Sequence, residues 1–156
     1  MSYDLLVFEP TVAPRDREAF YAWYKAFMES QDDETAYDLS TTSAKLQTWY
    51  HAMIADWPDM QKVSDDEIDS PRITGYSFAE HAIYLDFRWS EAEDAYDAVR
   101  KSAEEQGIGF YDVSGDEGDG EIYFPDGQLA PPSQGGWRDV AADFRSGDIS
   151  KYIPPE

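Results

Sequence analysis

A chain of 156 residues fits one domain, and its 42% apolar side chains are enough for a sizeable core. Thirty-three acidic residues against 12 basic ones leave a formal charge of -21, which disfavours nucleic acid and anionic membrane as partners and favours cationic ones. The absence of cysteine excludes disulfides, thiolate metal sites and thiol nucleophiles.

Tyr3 to Phe8 is an almost wholly apolar run and predicts a buried, central strand. That run is too short for a signal-peptide core, no basic residue precedes it, and no segment reaches transmembrane length, so a cytoplasmic protein is expected. Pro10 and Pro14 punctuate the next connection. Arg15 to Met28 predicts a helix, with Phe20, Trp23, Tyr24 and Phe27 as a core-facing aromatic stripe. Ser30 to Thr42 is an acidic loop with Asp32, Asp33, Glu34 and Asp38. A second helix carries Leu46, Trp49, Tyr50, Met53, Ile54 and Trp57 and is stopped by Pro58. Lys45 and Lys62 have no partner that the sequence identifies.

Asp59 to Arg72 is another acidic loop. Ile73 to Phe78 predicts a strand, joined by a short turn to a second strand with Ile83, Leu85, Phe87 and Trp89 on one face, so the two form a hairpin. Ser90 and Glu93 have the spacing of a capping box, and Ala92, Ala95, Tyr96, Val99 and Ala103 share one face of the helix that follows. Gly107 stands where a helix ends in positive φ. Ile108 to Val113 predicts a strand parallel to that at Ile83. Ser114 to Glu121 is a glycine-rich acidic turn, Ile122 to Phe124 a last short strand, and Asp126 onwards an irregular segment with few periodic signals.

The expected fold is α+β: a ferredoxin-like β-α(α)-β-β-α-β core in which the second helix and the short C-terminal strand are additions. Residues 1–125 form the domain, and residues 126–156 an irregular extension packed on it or partly free of it. The helices should cover one sheet face.

Strand order alone then places the loop entering Ile73, the loop leaving Val113 and the N-terminus of the helix after Ser90 on one edge of the sheet. Asp65, Asp66, Glu67, Asp69, Asp116, Glu117 and Asp119 would share that rim with Glu91 and Glu93 and form the expected partner-binding surface. Acids suit a helix N-terminus, so Glu91 and Glu93 have a structural reason to be there.

Catalytic signals are sparse, and an enzyme is the less favoured expectation. His51 and His81 are the two histidines; neither has a marked carboxylate or nucleophile beside it. Asp112, Ser114 and Asp116 start with calcium-loop spacing, but Glu117 stands where glycine is needed and Tyr123 where glutamate is needed. No zinc pattern, phosphate-binding loop or nucleophile elbow occurs, so no metal or cofactor is expected. An alternative pocket on the sheet would use Tyr84, Asp86, Arg88, Tyr111 and Tyr123, with Asp86 and Arg88 as a buried polar pair. Plain adaptation to high salt is a third reading of the acidity. Oligomeric state is left open.

The phrases SYDLLVFEP, WSEAEDAY, GIGFYDVS and GEIYFP together resemble a family of small acidic bacterial proteins with the pattern SYDLxVF, WSxAExAY, GxGFxDVS and GEIxFP. The resemblance covers most of residues 2–125. It implies no activity, cofactor or catalytic residue. Small acidic proteins of this kind are often immunity partners of antibacterial toxins, so the class implies a protein that binds a basic toxin domain directly.

Overall fold

The computed structural model describes residues 2–31, 36–64, 66, 69–115 and 120–126. Among these, β1 (Tyr3–Phe8), β2 (Gly75–Phe78), β3 (Ala82–Phe87), β4 (Gly109–Tyr111) and β5 (Ile122–Tyr123) form one antiparallel sheet in the order β2-β3-β1-β4-β5. The helices are α1 (Arg17–Ser30), α2 (Ala44–Met53) and α3 (Ala92–Gln106). The fold is α+β, as the periodicities predict. No helix among the described residues is long and apolar enough to cross a membrane.

The central strand is β1, because its side chains are apolar on both faces. Tyr3, Leu5 and Val7 join Ile83, Leu85 and Phe87 of β3 in a core shared with α2 and α3. Leu6 and Phe8 join Phe20, Tyr24 and Phe27 of α1 on the opposite face, together with Tyr111 and Phe124. Helices therefore cover both faces, which corrects the one-faced arrangement expected from the sequence. The helix that stands apart is α1, on the face opposite to α2 and α3, and not α2 as expected. α2 and α3 pack side by side, with Trp49 Nε1 donating to Ser102 Oγ at 2.8 Å. The aromatic stripe of α1 has the sheet's second face as its partner: Phe20 meets Phe8 at 5.1 Å and Tyr111 at 5.1 Å between ring centroids.

Local signals fared unevenly. Asp16 caps α1, accepting from Ala19 N at 3.0 Å. The hairpin of β2 and β3 forms with Tyr76 opposite Leu85. β3 and β4 run in the same direction, but β1 lies between them. Gly107 adopts φ 69°, and Lys45 Nζ donates to its carbonyl at 3.2 Å. The capping box does not form: Trp89–Glu91 is a 3-10 turn, and Glu91, not Ser90, is the N-cap, with no side-chain cap bond. α2 stops at Met53, short of the predicted Trp57, whose indole instead packs edge-on against Phe87 at 5.3 Å. A buried tertiary contact here outweighs helical periodicity.

Phe20→Ala removes a fully buried ring from the α1 face. It should destabilise the domain by about 3–5 kcal/mol in urea unfolding. A loss under ~1 kcal/mol would mean that α1 does not pack on the sheet.

Candidate functional site

Three polar centres are built into the sheet. The first lies on the α1 face. Asp4 and Asp86 are directly opposite each other on β1 and β3. Both are half-buried. Like charges in that register repel and do nothing for the sheet. Tyr84, two residues before Asp86 on the same face, donates its hydroxyl to Asp4 Oδ2. Ser2 Oγ donates to the other oxygen at 2.6 Å. Asp86 has no hydrogen bond or ion pair among the described residues. Burial raises its carboxyl above the ordinary carboxylate range, and the charge of Asp4 adds to the rise. Burial and the bond to Asp4 likewise push the Tyr84 hydroxyl up, so it stays a donor. Gly75 sits opposite Asp86, and a Cβ there would run into Asp86 Oδ2.

These groups border a cavity of about 230 Å³ lined by Met28, Gln31, Ala36, Tyr37, Ser77, Tyr84 and Asp86. Gln31 Oε1 is buried in the fold and has no donor among the described residues. Two residues of the sequence-derived pocket, Tyr84 and Asp86, thus come together. The other three do not. Arg88 is exposed and makes no ion pair with Asp86, so the expected buried pair is absent. Tyr111 is buried against Phe20 and Tyr24. Tyr123 packs against the core on the opposite sheet face, under Arg100 at 3.9 Å. Strand alternation explains the split: Tyr123 and Tyr84 point to opposite sides of the sheet. Met28, Gln31 and Tyr37 were missed, since nothing in the sequence brings the end of α1 to the β2–β3 hairpin.

The second centre is buried under the loop that leaves β4. Glu121 is 0% exposed; it accepts from the Tyr96 hydroxyl and from Arg100 Nε at 3.1 Å. Asp112, also 0% exposed, accepts from Gly115 N at 3.0 Å and from the Tyr3 hydroxyl at 3.4 Å. Asp112 thus holds a turn, where the sequence offered a partial calcium pattern. No cluster of metal-ligating side chains occurs among the described residues. Asp59, the third centre, accepts from Tyr50 at 2.6 Å and from Gln61 N at 2.9 Å and fixes the start of the acidic loop.

A second cavity, of about 290 Å³, brings Ser30, Glu80 and His81 together with Trp23 and Phe27. His81 Nε2 lies 3.6 Å from Glu80, but Ser30 Oγ donates to Phe27 O at 2.8 Å, and no hydrogen bond joins Ser30 to His81. The nucleophile–base contact that acyl transfer needs is therefore not made. His51 is exposed on α2.

Of the rim residues, Asp66 and Asp69 are described and exposed; Asp65, Glu67, Asp116, Glu117 and Asp119 lie outside the described residues. The strand directions do set the entry to β2, the exit from β4 and the start of β5 on one sheet edge. Arg72 ties the first of these loops to the N-terminus of α3, reaching Asp94 at 3.0 Å and Glu91 at 3.7 Å. Ser114 Oγ accepts from Asp4 N at 2.8 Å, which holds the exit of β4 against the start of β1. No family model, curated protein or solved structure matches the chain.

Two stability measurements follow. Asp86 is easier to protonate in the folded chain than at its ordinary value of 3.8. Its ionisation therefore costs stability, a cost absent below 3.8 and growing as pH rises through the raised folded value. Asp86→Asn should be more stable than the native chain at pH 7, with the margin closing as pH falls towards 3.8. A native chain more stable than the variant at pH 7 would show that the ionised carboxylate is favourably partnered. Arg100→Ala strands a fully buried carboxylate and should cost about 3 kcal/mol in urea unfolding, against under ~1 kcal/mol for Lys101→Ala on the exposed face.

Proposed function

We propose that the protein is an acidic binding protein that neutralises a basic protein, an antibacterial toxin domain being the partner the sequence resemblance suggests. One observation carries the reading: most basic side chains among the described residues are engaged within the chain. Of nine basic side chains among the described residues, six are held by carboxylates or backbone carbonyls. Arg15 reaches Asp126 at 2.7 Å, Arg17 the carbonyl of Gly120 at 2.6 Å, and Arg100 both Glu121 and Glu104. With 33 acidic residues against 12 basic ones, the net charge of -21 favours a cationic partner.

Such a surface steers a cationic partner more than it holds one; affinity comes from buried anchors. Exposed Tyr21, Tyr37, Met28 and Met60 are residue types that interfaces favour. The entry to β2 and the exit from β4 are three strand spacings apart, roughly 14 Å. That exceeds the ~8 Å screening length at physiological salt but not the ~30 Å length at 0.01 M. Acids in the two loops would then act on a partner together only at low salt. Rim acids as a steering surface support an inhibitor that needs no catalytic group.

The test is co-expression with the basic protein encoded beside this chain's gene. The expected result is restored growth and a stoichiometric complex whose association rate falls about tenfold or more from low to high salt. Neutralising Asp65, Asp66, Asp116 and Asp119 together should slow association at low salt. Growth unaffected by this chain, with no complex on size exclusion, overturns the proposal; a complex with a salt-independent rate removes the electrostatic rim from it.

A further inference from the structure

The cavity at the end of α1 has a chemistry that the acidic surface does not account for, and the geometry points to a binding site for a small organic cation, a guanidinium or primary ammonium group on a short alkyl stem. Its volume of about 230 Å³ is below the roughly 300–1,000 Å³ of drug-sized sites and suits a group the size of one side chain. Its polar lining is rich in acceptors. Gln31 Oε1 is buried and has no donor among the described residues. The Asp86 carboxylate lines the cavity and is bonded to nothing among the described residues. Behind it, Asp4 carries a second negative charge, and the Tyr84 hydroxyl is committed to Asp4. Ser77 supplies a hydroxyl that can donate or accept.

An anion would meet repulsion here. A neutral apolar group would leave Gln31 and Asp86 without donors, which is costly in a half-buried site. A cation with several N–H donors satisfies both. The aromatic and thioether part of the lining fits the same ligand. Tyr37 and Tyr84 are aromatic lining residues of the kind that accommodate a cation, and Met28 and Ala36 offer apolar contact to the stem. The opposed pair of Asp4 and Asp86, unfavourable for the empty sheet, is what a bound positive charge would offset. The raised carboxyl of Asp86 agrees with a site that lacks a cation of its own.

This ligand chemistry has two sources, a free small amine or an arginine or lysine side chain presented by a protein, and two probes separate them. The full chain, labelled for amide NMR, is titrated with n-butylguanidinium, with n-butanol and butyrate as neutral and anionic counterparts. Saturable shifts at Ser77, Tyr84 and Asp86 with n-butylguanidinium, and none with the other two, are expected. Asp86→Asn should weaken binding at least tenfold and Gln31→Leu severalfold. Asp97→Asn, an exposed acid on α3 across the sheet, should leave it unchanged. A dispersed amide spectrum shows that each variant is folded. A second titration uses the capped peptide acetyl-Gly-Arg-Gly-amide. Binding as tight as that of n-butylguanidinium assigns the site to a presented side chain; exclusion of the peptide assigns it to a free cation. Absence of saturable shifts at these amides, or equal binding by Asp86→Asn, overturns the proposal. The readout needs no protein partner, so it stands apart from the co-expression result.

Discussion

The structure depends on one strand being apolar on both sides. β1 lies third of five, and its alternate side chains fill two separate cores. Tyr3, Leu5 and Val7 bind the sheet to α2 and α3; Leu6 and Phe8 bind it to α1. A strand that buried one face alone would leave either α1 or the α2–α3 pair without a floor. Its partners are set by the same demand. β3 and β4 flank it directly, and each alternates so that apolar positions meet apolar ones on both faces. Asp4 is the single charged interruption in β1, and the polar centre on the α1 face grows from it.

Much of this was legible in the sequence, because hydrophobic period is local. The six-residue run from Tyr3 needed no context to be read as a buried strand, and the face of Ala92, Ala95, Tyr96, Val99 and Ala103 packs as its spacing predicts. Strand directions followed from connection lengths. What could not be read was the side of the sheet each helix takes. The stripe of α1 is as apolar as that of α2, and periodicity says that a face is buried without saying against what. The site suffered for the same reason. Tyr84 and Asp86 were found from strand alternation, but Gln31, Met28 and Tyr37 reach them only through the placement of α1. Arg88 was misjudged because it lies one residue past the end of β3, where alternation no longer governs exposure. The buried state of Glu121 was hidden by its neighbours, a run of glycines and acids with every mark of a solvated loop.

The acids divide into two populations with different physics. Asp59, Asp112 and Glu121 are buried and accept hydrogen bonds from tyrosines, and they fix loop ends as much as they carry charge. Among the described residues some exposed acids are answered by cations, Asp94 by Arg72, Glu104 by Arg100 and Asp126 by Arg15, while Lys45 and Arg17 go to backbone carbonyls. Asp86 belongs to neither population. It is partly withdrawn from water, faces another carboxylate and has no donor among the described residues, which sets it apart from residues placed for stability.

The position of β1 in the sheet also bears on how the chain assembles. Residues 3–8 are made long before their neighbours, yet Tyr3 pairs with Phe87 and Leu6 with Tyr111. The most apolar segment therefore has to wait for residues 82–87 before one edge can pair and for residues 109–111, more than a hundred positions on, before the other can. Contacts that span such lengths close slowly, and a nascent chain in that condition is a natural client for a holdase.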